Sequence, residues 1–288
     1  MGDGRQTAQR EHGRDDAQGA APLPRGHREA DAREPDEELE EVVHRPGHGR
    51  GGYPLPFDAM DIAIVGGTGA EGFGLTLRLA GAGHHVTIGS RATEKAQASA
   101  EEARGILGAD AAVDGRLNAE AVVGTPVVFV TVPFAGQALI YEAIKDTLAE
   151  GTVVVDCTSP LMSAVGGRAS HALRPWHGSA AEFAKSLLPK HVRLVAAMHT
   201  IGAAPLRDLE RAVESDAFVM GDDAEAKAVV GSLIEDIPGM RWVDCGGLQM
   251  ARIAETLTPL LIAVNVRYKV HDAAFRVLGR DAWGAPGA

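Results

Sequence analysis

The residues best placed to do chemistry are Gly67, Gly69 and Gly72, spaced Gly-x-Gly-x-x-Gly between the apolar run Ile62–Val65 and a helical pattern. That context is what a dinucleotide-phosphate site requires. Gly67 permits a tight turn, Gly69 lets backbone approach a pyrophosphate, and Gly72 lets the helix pack closely on the strand. Free N–H groups at the helix start, with the positive end of the helix dipole, then face the phosphates. About 20 residues further on, NAD sites carry a ribose-binding carboxylate at the tip of the second strand. Here that tip reads Gly89-Ser90-Arg91. No acid repels a 2′-phosphate, Ser90 offers a hydrogen bond, and Arg91 offers a two-pronged clamp. Lys95 follows four residues later, on the same face of the next helix. Read as a site, this tip selects NADP(H) over NAD(H); read blandly, Arg91 and Lys95 are solvated charges.

Ligands in such sheets lie beyond the carboxyl ends of the strands, so three further strand ends carry candidates. In Thr131-Val132-Pro133-Phe134, Pro133 stops the strand. Phe134 is then either a neighbour of the nicotinamide or a core aromatic after a simple turn. Cys157-Thr158-Ser159-Pro160 is a polar loop leading into an irregular segment, up to Gly178, that is expected to cover the crevice. Met198-His199-Thr200-Ile201-Gly202 ends a buried-looking strand. His199 either hydrogen-bonds the second reactant, with titration near neutrality, or is a satisfied structural histidine. Pro259 falls inside the helical stretch 251–263, where a kink costs about 3 kcal/mol. Flanked by Thr256 and Thr258, that kink either offers hydroxyls and freed carbonyls to a planar polar ligand or follows the curvature of the domain. The sequence offers no pattern of a Ser-His-Asp triad, a glycosidase carboxylate pair or an imine-forming helical lysine. Hydride transfer between two rings needs alignment more than a nucleophile or a strong acid.

Positioning these groups takes an alternation of strands and helices. Strands are expected at 61–65, 85–89, 127–132, 152–156, 191–198, 216–220 and 240–244, with a less regular segment around 118–124. Helices are expected at 71–82, 92–107, 135–149 and 223–236, with a capping box at Ser179–Glu182 opening another to Leu187. The stretch 248–278 is helical in pattern. The fold class is α/β: a Rossmann-type, doubly wound parallel sheet with a smaller C-terminal α/β-helical portion. Three parts follow: a disordered extension over 1–59, a nucleotide domain over 60–200 and an acceptor-binding portion over 201–288. The extension is rich in Gly, Pro, Arg, Asp and Glu, and Met60 stands just before the first strand, which suggests that translation starts there.

Net charge is −11 over 288 residues, which argues against non-specific nucleic-acid binding. No apolar run approaches the roughly 18 residues of a membrane span, and no secretory leader stands at the N-terminus. Cys157 and Cys245 show no metal-binding spacing and read as small buried filler in a reducing cytoplasm. No metal is expected. The apolar C-terminal helix makes a homodimer the expected assembly.

Taken together, Gly66-Gly-Thr-Gly-x-x-Gly-x-Gly-Leu-x-Leu-Arg-Leu-Ala80, Ile88-Gly-Ser-Arg91 with Glu94-Lys-Ala96, Met198-His-Thr-Ile201, Gly221-Asp-Asp223 and Leu257-Thr-Pro-Leu260 resemble the NADPH-dependent F420 reductases. The resemblance spans about Met60 to Arg267. It implies reversible hydride transfer between NADP(H) and the deazaflavin coenzyme F420. It also implies that Thr68, Ser90, Arg91 and Lys95 hold the NADP phosphates. His199, Ile201, Thr256 and Thr258 would surround the deazaflavin ring. Gly202 departs from the proline common after that isoleucine, and the chain beyond Tyr268 is longer than is usual. Two other functions share the glycine turn: an NADPH-dependent imine or carbonyl reductase, with Asp156 or His199 as its acid, and a non-catalytic NADP(H) sensor.

Overall fold

In the computed structural model of the chain, residues 59–279 are described. The expected disordered extension therefore lies, but for Ala59, outside the described residues. The order is β1 (Asp61–Val65), α1 (Ala70–Gly81), β2 (His85–Ser90), α2 (Thr93–Leu107), β3 (Val113–Leu117), α3 (Asn118–Ala121), β4 (Val127–Val130), α4 (Phe134–Ile144) and β5 (Val153–Asp156). It continues with α5 (Ala180–Leu187), β6 (Arg193–Ala196), α6 (Ala203–Arg207), β7 (Asp216–Gly221), α7 (Ala224–Glu235), β8 (Arg241–Asp244), α8 (Ala251–Ala254) and α9 (Leu257–Tyr268).

Eight strands form one sheet in the order β3-β2-β1-β4-β5-β6-β7-β8. Successive residues of β1 point to opposite faces: Ile62 and Ile64 join one buried layer, Ala63 and Val65 the other. Both layers are apolar, as a sheet covered by helices on both sides requires. The strand order reverses between β1 and β4, which opens a crevice at their carboxyl ends. No described helix is long and apolar enough to cross a membrane.

The third strand and the pairing of β6 with β7 differ from expectation. The third strand is Val113–Leu117 rather than a segment near 118–124. Its polar Asp-Gly-Arg centre hides an edge strand, and Gly115 is held because a Cβ there would lie 2.3 Å from the Ala96 backbone of α2. Pairing of β6 with β7 is antiparallel, through Val195–Gly221 and Ala196–Met220. The connection holds only the five-residue α6, about 7.5 Å long, too short to carry the chain back along the sheet. By contrast, the twelve-residue α7 makes a full crossover, and β7 and β8 are parallel.

The C-terminal stretch is not one helix. Pro259 lies in the first turn of α9, where a missing N–H costs little, so the expected kink energy is not incurred. That helix ends at Tyr268 on Lys269, whose φ of +55° is left-handed. The chain then runs irregularly beside β7: Asp216 N–H donates to the Phe275 carbonyl (2.8 Å), and Val277 N–H donates to Asp216 Oδ2 (2.6 Å). Cys157 is buried as expected, whereas Cys245 is half-buried.

Candidate active site

The glycine turn is built by contacts that leave no room for side chains. Gly66 takes φ +77°, so the left-handed residue of the turn is Gly66 rather than Gly67. Gly67 N–H is shared between the carbonyls of Ile64 and Gly89, both at 3.0 Å, and a Cβ on Gly67 would lie 2.8 Å from the Ile64 oxygen. A Cβ on Gly72 would lie 2.5 Å from Thr131 Oγ1 and 2.7 Å from the Gly67 Cα. Helix and turn are therefore in backbone contact. Gly69 is the N-cap of α1 and supplies no side-chain cap. Phe73 N–H makes the first helical bond to its carbonyl (2.8 Å). The N–H groups of residues 70–72 stay at the open helix end, and Thr68, Gly69 and Ala70 are exposed beside them. This cradle fits a pyrophosphate.

The tip of β2 adjoins it. Ser90 is buried, and its Oγ accepts from Ala92 N–H at 3.4 Å. Arg91 and Lys95 are exposed and join no ion pair among the described residues, so both charges are available to a ligand. Asn118 was not singled out from sequence. Its buried side chain accepts from Gly66 N–H (3.3 Å), tying the β3–α3 junction to the turn. A lone Asn after a polar strand carries no sequence signal.

Across the crevice, three distant segments meet. Thr258 Oγ1 donates to the His199 carbonyl (2.7 Å), and Ser159 Oγ, 2.8 Å away, then donates to Thr258 Oγ1. Met198 precedes this joint with φ +71°, a left-handed conformation costing a non-glycine residue about 1–2 kcal/mol. The turn is closed by Ile201 N–H donating to the Met198 carbonyl at 3.0 Å. Both ring nitrogens of His199 are sealed from solvent without a hydrogen-bond partner. Burial pushes its pKa down to about 4, so it remains neutral at physiological pH instead of titrating near 7. An orphaned neutral imidazole at a strand end fits a site completed by a planar polar ligand.

Other candidates are placed differently. Pro133 is the exposed N-cap of α4, and Phe134 packs edge-on against Phe183 of α5 (6.3 Å between centroids). Thr256 is exposed, and its Oγ1 donates back to the Ile253 carbonyl (2.6 Å). It lines a cavity of about 390 Å³ with Pro160, Leu173, Arg174, Arg252 and Glu255. A larger cavity, about 930 Å³, is bordered by Ile201, Gly202, Pro205, Asp208, Arg211 and the tail residues Val270 to Ala274.

Beneath the crevice lie two buried carboxyls, Asp156 and Glu255, and a third, Glu71, that is only partly exposed. Asp156 Oδ2 accepts from Gln137 Nε2 (2.8 Å) and Tyr141 Oη (2.5 Å), and Thr158 N–H donates to Oδ1 (3.0 Å). Burial raises its pKa to about 6 against those bonds. Glu255 accepts from the N–H groups of Ala180 (2.8 Å) and Ala181 (3.0 Å) at the start of α5; burial raises it to about 8. Glu71, in the first turn of α1, is exposed only in part, and its Oε1 is sealed without a partner. Burial, and then the Asp156 charge, raise it to about 8.

Arg78 also acts at a distance. From α1 it donates to the carbonyls of Leu206 (2.9 Å), Pro205 (2.8 Å), Asp208 (2.5 Å) and Arg211 (2.8 Å), pinning α6 and the loop after it.

Comparison with known proteins shows the family to which the chain is related. Residues 61–160 match the family described as NADP oxidoreductase, coenzyme F420-dependent. The F420-dependent NADP reductase of Methanothermobacter thermautotrophicus is 41% identical over 220 residues, covering 76% of this chain and 94% of that protein. The enzyme of that name from Methanocaldococcus jannaschii is 40% identical over 221 residues, covering 76% and 98%. Among solved structures, one from Arthrobacter sp. FB24, provisionally assigned as an F420-dependent NADP reductase, aligns with TM-score 0.65 and 27% identity over 76% of this chain and 99% of that one. A 3-hydroxyisobutyrate dehydrogenase from Mycobacterium tuberculosis, at TM-score 0.51 and 18% identity over 73% and 62%, shares the fold. With sequence identity of this level running nearly the full length of its relatives, this chain belongs to the F420-dependent NADP reductase family.

Proposed function

We infer that the protein is an NADPH-dependent F420 reductase, transferring hydride reversibly between NADP(H) and coenzyme F420. The observation that carries the reading is the Ser159–Thr258–His199 joint. It brings the two acceptor-side motifs to the sheet end that also bears the glycine cradle. When bound, the coenzymes supply the redox chemistry, a hydride passing between the nicotinamide C4 and the deazaflavin C5.

The chain's own residues bind and align. Gly67, Thr68, Gly69 and Gly72 cradle the pyrophosphate, while Ser90, Arg91 and Lys95 hold the 2′-phosphate. Pro133 and Phe134 border the nicotinamide. His199, Ile201, Thr256 and Thr258 frame the deazaflavin. A neutral His199 donates a hydrogen bond rather than a proton. This weakens the carbonyl-reductase alternative, which needs a positioned acid, since Asp156 is also fully buried and held by Gln137 and Tyr141.

On this reading residues 60–200 form the nucleotide domain and the chain from 201 onward supplies the acceptor side. Ile253, Leu260 and Val266 on α8 and α9 are exposed, which supports a homodimer through these helices. We place the enzyme in the cytoplasm, where NADP(H) is pooled and free thiols persist. The test is to mix purified protein with NADPH and F420 and follow both absorbances. Coupled changes are expected; no turnover in either direction rejects the reading, and nucleotide binding without turnover would favour a sensor.

A further inference from the structure

Glu71 is an acid in an unexpected place. It is the second residue of α1, two positions past Gly69, at the helix end whose free N–H groups form the phosphate cradle. Its Oε1 is sealed from water and has no hydrogen-bond partner. The groups around it give an anion little support. At the end of β5 stand Asp156, a like charge, and Cys157, whose thiol burial and then Glu71 itself push up. The β4 end contributes Thr131, which is uncharged. The nearest cation on α6, Arg207, is exposed and lies over the Phe73 ring, 5.4 Å from its centroid. Arg78, further along α1, is spent on four backbone carbonyls. From the β2–α2 side come Arg91 and Lys95, both exposed. The helix dipole favours an anion in the first turn, but that effect is smaller than the cost of sealing a carboxylate oxygen without a donor.

We propose that NADP(H) binding is coupled to a proton carried on Glu71: the neutral carboxyl leaves the α1 N-terminus to the pyrophosphate, and ionisation of Glu71 weakens the nucleotide. The proposal rests on the NADP(H) reading of the cradle. The physical reason is that one helix end cannot serve two anions: a charged Glu71 takes up the dipole and adds repulsion at short range. With the free-protein pKa near 8 and bound nucleotide raising it further, affinity is fully present below pH 8 and falls as pH rises through that value.

The experiment is to titrate NADPH into the full-length protein and into Glu71→Gln from roughly pH 6.5 to 9.5, following nicotinamide fluorescence. The nucleotide's own groups titrate equally in both series, so the ratio of the two curves isolates Glu71. If binding raises the Glu71 pKa by one unit, wild type loses about eightfold in affinity relative to Glu71→Gln across that range. In a weakly buffered solution at pH 8, NADPH addition to the wild type should also take up about 0.4 proton per site, a readout that needs no variant. Parallel pH curves together with no proton uptake overturn the proposal while leaving the nucleotide site intact. Failure of both proteins to bind NADPH at any pH overturns the cradle reading, and the proposal with it.

Discussion

The two sides of the crevice are built in different ways. The phosphate-binding part of the nucleotide side comes from one continuous stretch, β1 to α2, in which the turn, the helix end and the Ser90–Arg91 tip are all within about thirty residues. Its cradle is backbone, and its charges stand free in solvent. The acceptor side is assembled from residues 59 to 133 positions apart in sequence, through side chains that donate to distant carbonyls. Its central imidazole is buried and unpaired. Local geometry fixes the first region, and tertiary hydrogen bonds fix the second. Damage should therefore spread differently through each.

The most disruptive cut is Arg78→Ala. It strands several carbonyls of the 205–211 stretch and should lower unfolding free energy by about 3 kcal/mol or more, measured by urea denaturation. Although Arg78 lies on the nucleotide helix, the KM for F420 should rise more than that for NADPH. Equal changes in both would erase the contrast. Next comes Arg91→Ala, which should weaken NADPH by about 1–3 kcal/mol in a binding titration and leave NADH nearly unaffected, with no loss of stability. Equal losses for both nucleotides would show that Arg91 does not read the 2′-phosphate. The smallest effect should come from Thr258→Val, which removes the bond to the His199 carbonyl at a cost of about 1 kcal/mol. Its signature is a raised KM for F420 with the KM for NADPH unchanged.

The same contrast explains what could be read from the sequence. The glycine spacing, the strand before it and the acid-free tip are local, and β1, α1, β2 and α2 lie within two residues of expectation. Ser179 caps α5 as its pattern requires, its Oγ accepting from Glu182 N–H at 3.0 Å. β3 escaped because Asp114, Gly115 and Arg116 are poor strand formers, and only the packing of α2 gives Gly115 its reason. α6 escaped because five residues with a central proline leave no helical period. The helix expected through Leu278 stops ten residues early because Asp216, on a strand far back in the chain, claims Arg241, Arg276 and the Val277 N–H. Asn118, Arg78 and the Asp156–Gln137–Tyr141 set depend on pairings that no periodicity encodes.

The reversed direction of β7 decides where the polypeptide goes after β6. A parallel β7 would have drawn residues 197–215 down the flank of the sheet to its opposite rim. Because β7 sets out from the rim where β6 finishes, those residues stay behind as a roof, and the tail from Val270 to Ala274 completes the wall. A cavity of about 930 Å³ thus owes its lining to a single change of strand polarity.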